Sequence, residues 1–162
     1  MSPLKGHFSH IDDRVDGTFQ RPIANAKVEL WLHLLGLLNP WLKFATSTTD
    51  AGGDLYYRTP LIAPGTTYAM RLFATNNAVA VNPQTGLDLG GPYWTEPGDA
   101  GSPIQHRANS NGVELDFSYD FTDRNRGKYF NIAVTIRRAR AFADARRGDS
   151  DRSPRLPSSP RR

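Results

Sequence analysis

The chain has 162 residues, a net charge of +4 and a hydrophobic fraction of 38%. That length supports one domain with a sizeable core. The absence of cysteine excludes a disulfide framework, a thiol nucleophile and a thiolate metal centre.

The charge is unevenly placed. Residues 1–136 hold 11 Lys and Arg against 13 Asp and Glu, a net of −2. Residues 137–162 hold 9 Arg against 3 Asp, a net of +6. The basic character therefore belongs to the C-terminus, and the body is slightly acidic. The longest apolar stretch, Leu34-Leu35-Gly36-Leu37-Leu38, is too short to span a bilayer. The first residues lack an apolar run of signal-peptide length. The chain as written reads as cytoplasmic, or as extracellular if it is exported another way or is a fragment.

In chain order, residues 6–12 alternate loosely and predict a first strand. Residues 12–20 are charged, contain Gly17, and read as a connection. Residues 26–34 give the clearest strand. Val28, Leu30, Leu32 and Leu34 share one parity and are assigned to the core, while Lys27, Glu29, Trp31 and His33 share the other. Strands are further expected at 42–49, 54–59, 66–75 and 78–81. Between the third and fourth, Asp50-Ala51-Gly52-Gly53 predicts a hairpin turn, with Asp50 accepting backbone hydrogen bonds.

Residues 82–111 carry many glycines and prolines and read as a long insertion or loop. Residues 112–121 return to alternation, with Val113, Leu115, Phe117 and Tyr119 against Glu114, Asp116, Ser118 and Asp120. A C-terminal helix is expected over 128–147. Its apolar stripe is Ile132, Ile136, Ala139 and Ala143, widened by Phe130, Val134 and Phe142, and Gly148 is its C-cap. Residues 148–162 are rich in Ser, Pro and Arg and are expected to be a disordered basic tail.

Three phrases carry a family resemblance. Pro22-Ile23-Ala24-Asn25-Ala26-Lys27-Val28-Glu29-Leu30 opens a strand, Thr48-Thr49-Asp50-Ala51-Gly52-Gly53 closes the next one, and Pro64-Gly65-Thr66-Thr67-Tyr68 leads into another. Their order and spacing resemble the transthyretin-like, or carboxypeptidase-regulatory-like, β-sandwich domain, over about residues 5–82. The pattern departs from that family at Gly53 and Asp54, where one glycine and a bulky strand residue are usual. The resemblance implies an accessory, adhesive or binding role. Tyr129-Phe130-Asn131-Ile132 also resembles a phrase that opens a helix after such a domain in some bacterial surface proteins, which implies that the chain leads into a larger architecture.

The expected fold is mainly β: an antiparallel two-layer sandwich of about seven or eight strands over residues 1–121, followed by one helix. The expected function is a non-enzymatic binding or structural module that acts through protein contacts or self-association. The helix residues Phe130, Ile132, Ile136 and Phe142 are its candidate interaction surface. The alternative is carbohydrate or small-ligand binding through Trp41, Tyr93 and Trp94, since exposed rings on loops stack on sugars or anchor partners.

Transthyretin-like folds include 5-hydroxyisourate hydrolase, and His10 lies loosely at the position of that family's first histidine. The family's C-terminal Tyr-Arg-Gly-Ser is absent, which disfavours hydrolysis. Of His7, His10 and Asp12, alternation places only His10 and Asp12 on one strand face. A metal site would need a third ligand such as His33 or His106, and solvated strand-edge residues are the expectation. Glu114, Asp116 and Asp120 read as an outward, solvated face. No catalytic residue, metal or cofactor is assigned. The arginines from 137 onward could bind nucleic acid or an anionic surface, but such runs read first as solvated extensions. Nucleic-acid binding is disfavoured by the scarcity of aromatic residues among them.

Overall fold

The computed structural model describes residues 2–14, 17–33, 41–59, 65–83, 91–109 and 112–150. Six longer strands come first: β1 (Ser2–Arg14), β2 (Gly17–Pro22), β3 (Lys27–His33), β4 (Leu42–Thr48), β5 (Asp54–Thr59) and β6 (Thr67–Phe73). Six short ones follow: β7 (Trp94–Thr95), β8 (Gly98–Asp99), β9 (Ser102–Pro103), β10 (His106–Arg107), β11 (Leu115–Asp116) and β12 (Tyr119–Phe121). One helix, α1 (Arg124–Ser150), ends the described chain. The fold is a mainly β sandwich with a single C-terminal helix, as the alternation predicted.

The spine of the first sheet is β1. Its first half pairs antiparallel with β5, from Ser2↔Thr59 to His7↔Asp54, and its second half with β2, from Ser9↔Pro22 to Arg14↔Gly17. The two partners meet at Phe8. Its N–H donates to the Gly53 carbonyl at 3.0 Å, and its own carbonyl accepts from Ile23 N–H at 2.9 Å. On the opposite edge of β1, β11 and β12 pair in parallel, at Leu4↔Leu115 and Phe8↔Tyr119. These short parallel ladders are the exception in an otherwise antiparallel fold. The second sheet runs β10–β6–β3–β4, with β7 also on β6.

The core lies between the sheets. Leu4 and Phe8 of β1 meet Val28 and Leu30 of β3 and Met70 and Leu72 of β6, all fully covered. The parity read for β3 holds at Val28, Leu30 and Leu32. Leu34 lies outside the described residues.

Several boundaries differ from the sequence reading, each for a tertiary reason. The first strand runs from Ser2 to Arg14 because four partner strands prolong its ladder. Residues 17–22 are a strand rather than a connection, since they fold back on β1. Residues 78–81 hold only a single bridge, Thr75↔Ala80. Residues 112–121 break into β11 and β12, because Ser118 turns to hydrogen-bond Asp116 through both its N–H and its hydroxyl.

Asp50 does accept backbone hydrogen bonds, from Gly52 at 2.8 Å and Asp54 at 2.9 Å. The turn, however, is not a hairpin. Strand β4 belongs to the second sheet and β5 to the first, so the turn crosses between layers. Gly53 makes that crossing with φ of 82°, and a Cβ there would stand 2.4 Å from the Phe8 carbonyl oxygen. A second glycine is required where the family pattern has one.

The expected insertion 82–111 is partly built into the sandwich. Its described residues supply β7 and β10 to the free edge of β6, and the β8–β9 hairpin between them.

The helix begins four residues before the expected start. Asp123 caps it, its carboxylate accepting the Asn125 N–H at 2.8 Å and its carbonyl the Gly127 N–H at 2.9 Å. The helix also passes through Gly148 to Ser150, so Gly148 is not its C-cap. Disorder was expected from residue 148, but residues 148–150 are helical; residues 151–162 lie outside the described residues. No helix among the described residues is long and apolar enough to cross a membrane.

Candidate functional site: the outer face of the second sheet

Strands β3 and β6 turn alternate residues away from the core. Trp31 stands opposite Ala69, and Glu29 opposite Arg71. Strand β7 adds Trp94 opposite Phe73. The Arg71 guanidinium lies 4.2 Å from the Trp31 ring centre and 4.3 Å from that of Trp94. One cation is thus held between two indoles, and Glu96 fixes its Nε at 3.4 Å. Each such cation–π contact contributes about 0.5–2 kcal/mol. Trp94 remains 45% exposed.

The row continues toward the start of β3. Phe73 lies beside Trp94, with ring centres 6.4 Å apart, and the Lys27 ammonium sits 4.5 Å above the Phe73 ring. Lys27 also pairs with Glu29 at 2.9 Å, and Lys43 of β4 reaches the same carboxylate at 3.3 Å. Burial pushes the Glu29 carboxyl up. The two ammonium groups outweigh that and hold it below the ordinary carboxylate range. At the far end of β3, His33 packs against Trp41 at 5.6 Å.

The three expected ligand-binding rings are not gathered. Trp94 is on the outer face, and Trp41 lies at its His33 end. Tyr93 is turned the opposite way, half-buried and stacked on Tyr129 of α1 at 3.9 Å. Burial raises its hydroxyl pKa. It serves the helix joint instead of a ligand face. Sequence reading passed over Arg71, Phe73 and Glu96. Arg71 was legible as the outward parity of β6, but its indole neighbours come from two other strands.

Trp31 lies on the outward parity of β3, as read from the sequence. Arg71 covers it, and α1 packs on β1 and β12. Of the expected interaction residues, Phe130 is 1% exposed and belongs to the core, next to Phe121. Ile132, Ile136 and Phe142 are 45%, 41% and 63% exposed.

A second concavity, of about 520 Å³, lies over β1 and β5 and includes Lys5, His7, Asp54, Asp116 and Ser118. His7 Nδ1 meets Asp54 at 2.8 Å, both exposed. The Ser118 hydroxyl donates to Asp116 and accepts from the His7 backbone N–H. It is committed to those partners rather than to the imidazole, so this groove assembles no serine–histidine relay. The Ser118 hydrogen bonds also hold the Asp116 carboxyl below its usual range. His10, the expected hydrolase-like position, is 1% exposed beneath α1. No group of three or more metal-ligating side chains occurs among the described residues.

No family model and no curated protein matches this chain. Among solved structures, it is similar to a 9R-lipoxygenase from Cyanothece PCC8801 at 17% identity and a TM-score of 0.33. The likeness covers 74% of this chain and 16% of that one, so the chain spans under one fifth of the lipoxygenase. At that TM-score the likeness carries no argument about fold or activity.

Proposed function

We propose that this chain is a non-enzymatic binding module whose contact face is the outer surface of the second sheet, and that its partner is a protein. The observation that carries the reading is Arg71 clamped between Trp31 and Trp94. Trp and Arg are the side chains that dominate protein contact energies, and they do so when held rigid before binding. Here the guanidinium is already ordered by two rings and Glu96, so little side-chain entropy remains to be lost. The transthyretin-like resemblance of residues 5–82 supports an accessory, binding role.

The exposed Trp94 indole favours a second reading, a saccharide stacked on that ring with Glu96 as hydrogen-bond acceptor. Two measurements separate the readings. Light scattering on the eluting protein reports self-association through the face, which Trp94→Ala should break. Tryptophan fluorescence against a panel of neutral and acidic oligosaccharides reports sugar binding, which the same substitution should abolish. Substrate turnover abolished by alanine at His7 or Asp54 would overturn the non-enzymatic reading altogether.

A further inference from the structure

Helix α1 carries two apolar stripes, on opposite sides. The inner one, Gly127, Phe130, Ala133 and Val134, is buried. Its Phe130, Ala133 and Val134 face Ile23, Ala24 and Ala74, with a void of only about 10 Å³ among them. The outer one is Ile132, Ile136, Ala139 and Ala143, at steps of four, three and four residues, with Phe142 beside it. All five are exposed, and every residue from Arg138 to Arg147 is exposed as well. The helix therefore leaves the body after Arg137 and continues for 13 residues, about 20 Å. Helices of that length are marginal in water without packing.

The surroundings of the outer stripe are cationic. Lys128 precedes it and Arg146 follows it on the same face, with Arg140 and Arg147 along one flank. The Arg146 guanidinium lies 4.8 Å above the Phe142 ring, a cation–π contact. The one acid between Arg138 and Arg147, Asp144, stands off the stripe and pairs with Arg140 at 3.8 Å. The chain beyond carries the same sign, so residues 137–162 total +6.

We infer that the outer face of α1 lies on an anionic phospholipid surface, its isoleucines and Phe142 in the headgroup boundary and its arginines among the phosphates. Charge complementarity names the occupant. Four small or medium side chains and one ring are too few for the roughly 1,000 Å² that a stable protein interface buries. Adsorption to a bilayer instead sums apolar and cationic contributions residue by residue. Nucleic acid would use the arginines and leave Ile132 and Ile136 without a role. The inference does not rest on the proposed sheet-face function.

The test is co-sedimentation of the full chain with large unilamellar vesicles, either of phosphatidylcholine alone or with roughly one third phosphatidylglycerol. The expected result is binding to the anionic vesicles only, weakened by salt at about 0.5 M. Arg146→Ala and Arg147→Ala should each weaken it about fivefold. Ile136→Asp and Phe142→Asp should each weaken it about tenfold or more, with helix content and thermal midpoint unchanged. Should Ile136→Asp lower the midpoint, Ala139→Glu tests the same stripe at a wholly exposed site. Failure to bind anionic vesicles overturns the inference. So does binding indifferent to Ile136→Asp, Ala139→Glu and Phe142→Asp, or a preference for duplex DNA over vesicles at equal salt.

Discussion

Phe130 and Phe142 lie twelve residues apart on one helix. The first is 1% exposed, packed beside Phe121 and Tyr93. The second is 63% exposed, with Arg146 over its ring. The two halves of α1 therefore differ in what holds them. The first half is fixed by side chains from four directions. Arg126 donates to the Gly98 carbonyl at 2.7 Å, Tyr129 stacks on Tyr93, Asn131 reaches Asp12, and Asn76 donates to the Ala133 carbonyl. The second half is exposed and has helix-forming alanines and arginines, with Arg140 pairing Asp144 along it. The contrast shows that a helical pattern in sequence reports backbone preference and leaves open which residues touch the domain.

The largest break in that comparison is Phe130→Ala. It removes a ring from the joint between sheet and helix and should cost about 3–5 kcal/mol in urea unfolding. Acid should loosen the same half next. His10 sits under α1 near Gly127, its Nδ1 on the Ile11 carbonyl at 3.0 Å and its buried Nε2 without a partner among the described residues. Asp12, Arg21 and Arg138 are the charges that act on it. Burial lowers its pKa below the ordinary value, so the folded state holds His10 neutral. The unfolded chain then binds more protons between the depressed pKa and about 6.5, and stability falls as pH drops through that window. Thermal midpoints across the window should show this slope, and His10→Leu should flatten it.

Removing the cap with Asp123→Ala should cost about 1 kcal/mol in the same urea assay. The smallest effect belongs to the outer half. Phe142→Ala should change stability by no more than about 0.5 kcal/mol. A chain ending after Arg138 should keep a midpoint close to that of the full chain. An earlier cut, after Gly127, would strip Phe130, Ala133 and Val134 from the core and should not give a folded protein. A Phe142→Ala cost near that of Phe130→Ala would erase the distinction between the halves.

Strand β3 shows how far the sequence alone could be read. The parity of Lys27 to Leu32 assigned its faces, because strand alternation is a local property of the backbone. The Asp50 hydrogen bonds were legible for the same reason, as were a mostly β fold and one terminal helix. The candidate face was not. Arg71, Trp31 and Trp94 come from three strands far apart in the chain, and only the order β7–β6–β3 sets them side by side. Tyr93 and Trp94 are adjacent in sequence, yet pairing with β6 sends one under the helix and the other outward.

The sequence by itself determined the periodicities: alternating strands, a glycine turn after Asp50, one C-terminal helix and a basic end. These follow from torsional preference and side-chain spacing within a few residues. Tertiary structure decided which partner each strand took, turning an expected hairpin into a crossing and a loop into edge strands. It also decided which of the two apolar stripes of α1 was buried. Both have helical spacing, so only the shape of the surface left by β1 and β12 could choose between them, and it is Phe130, Ala133 and Val134 that fit.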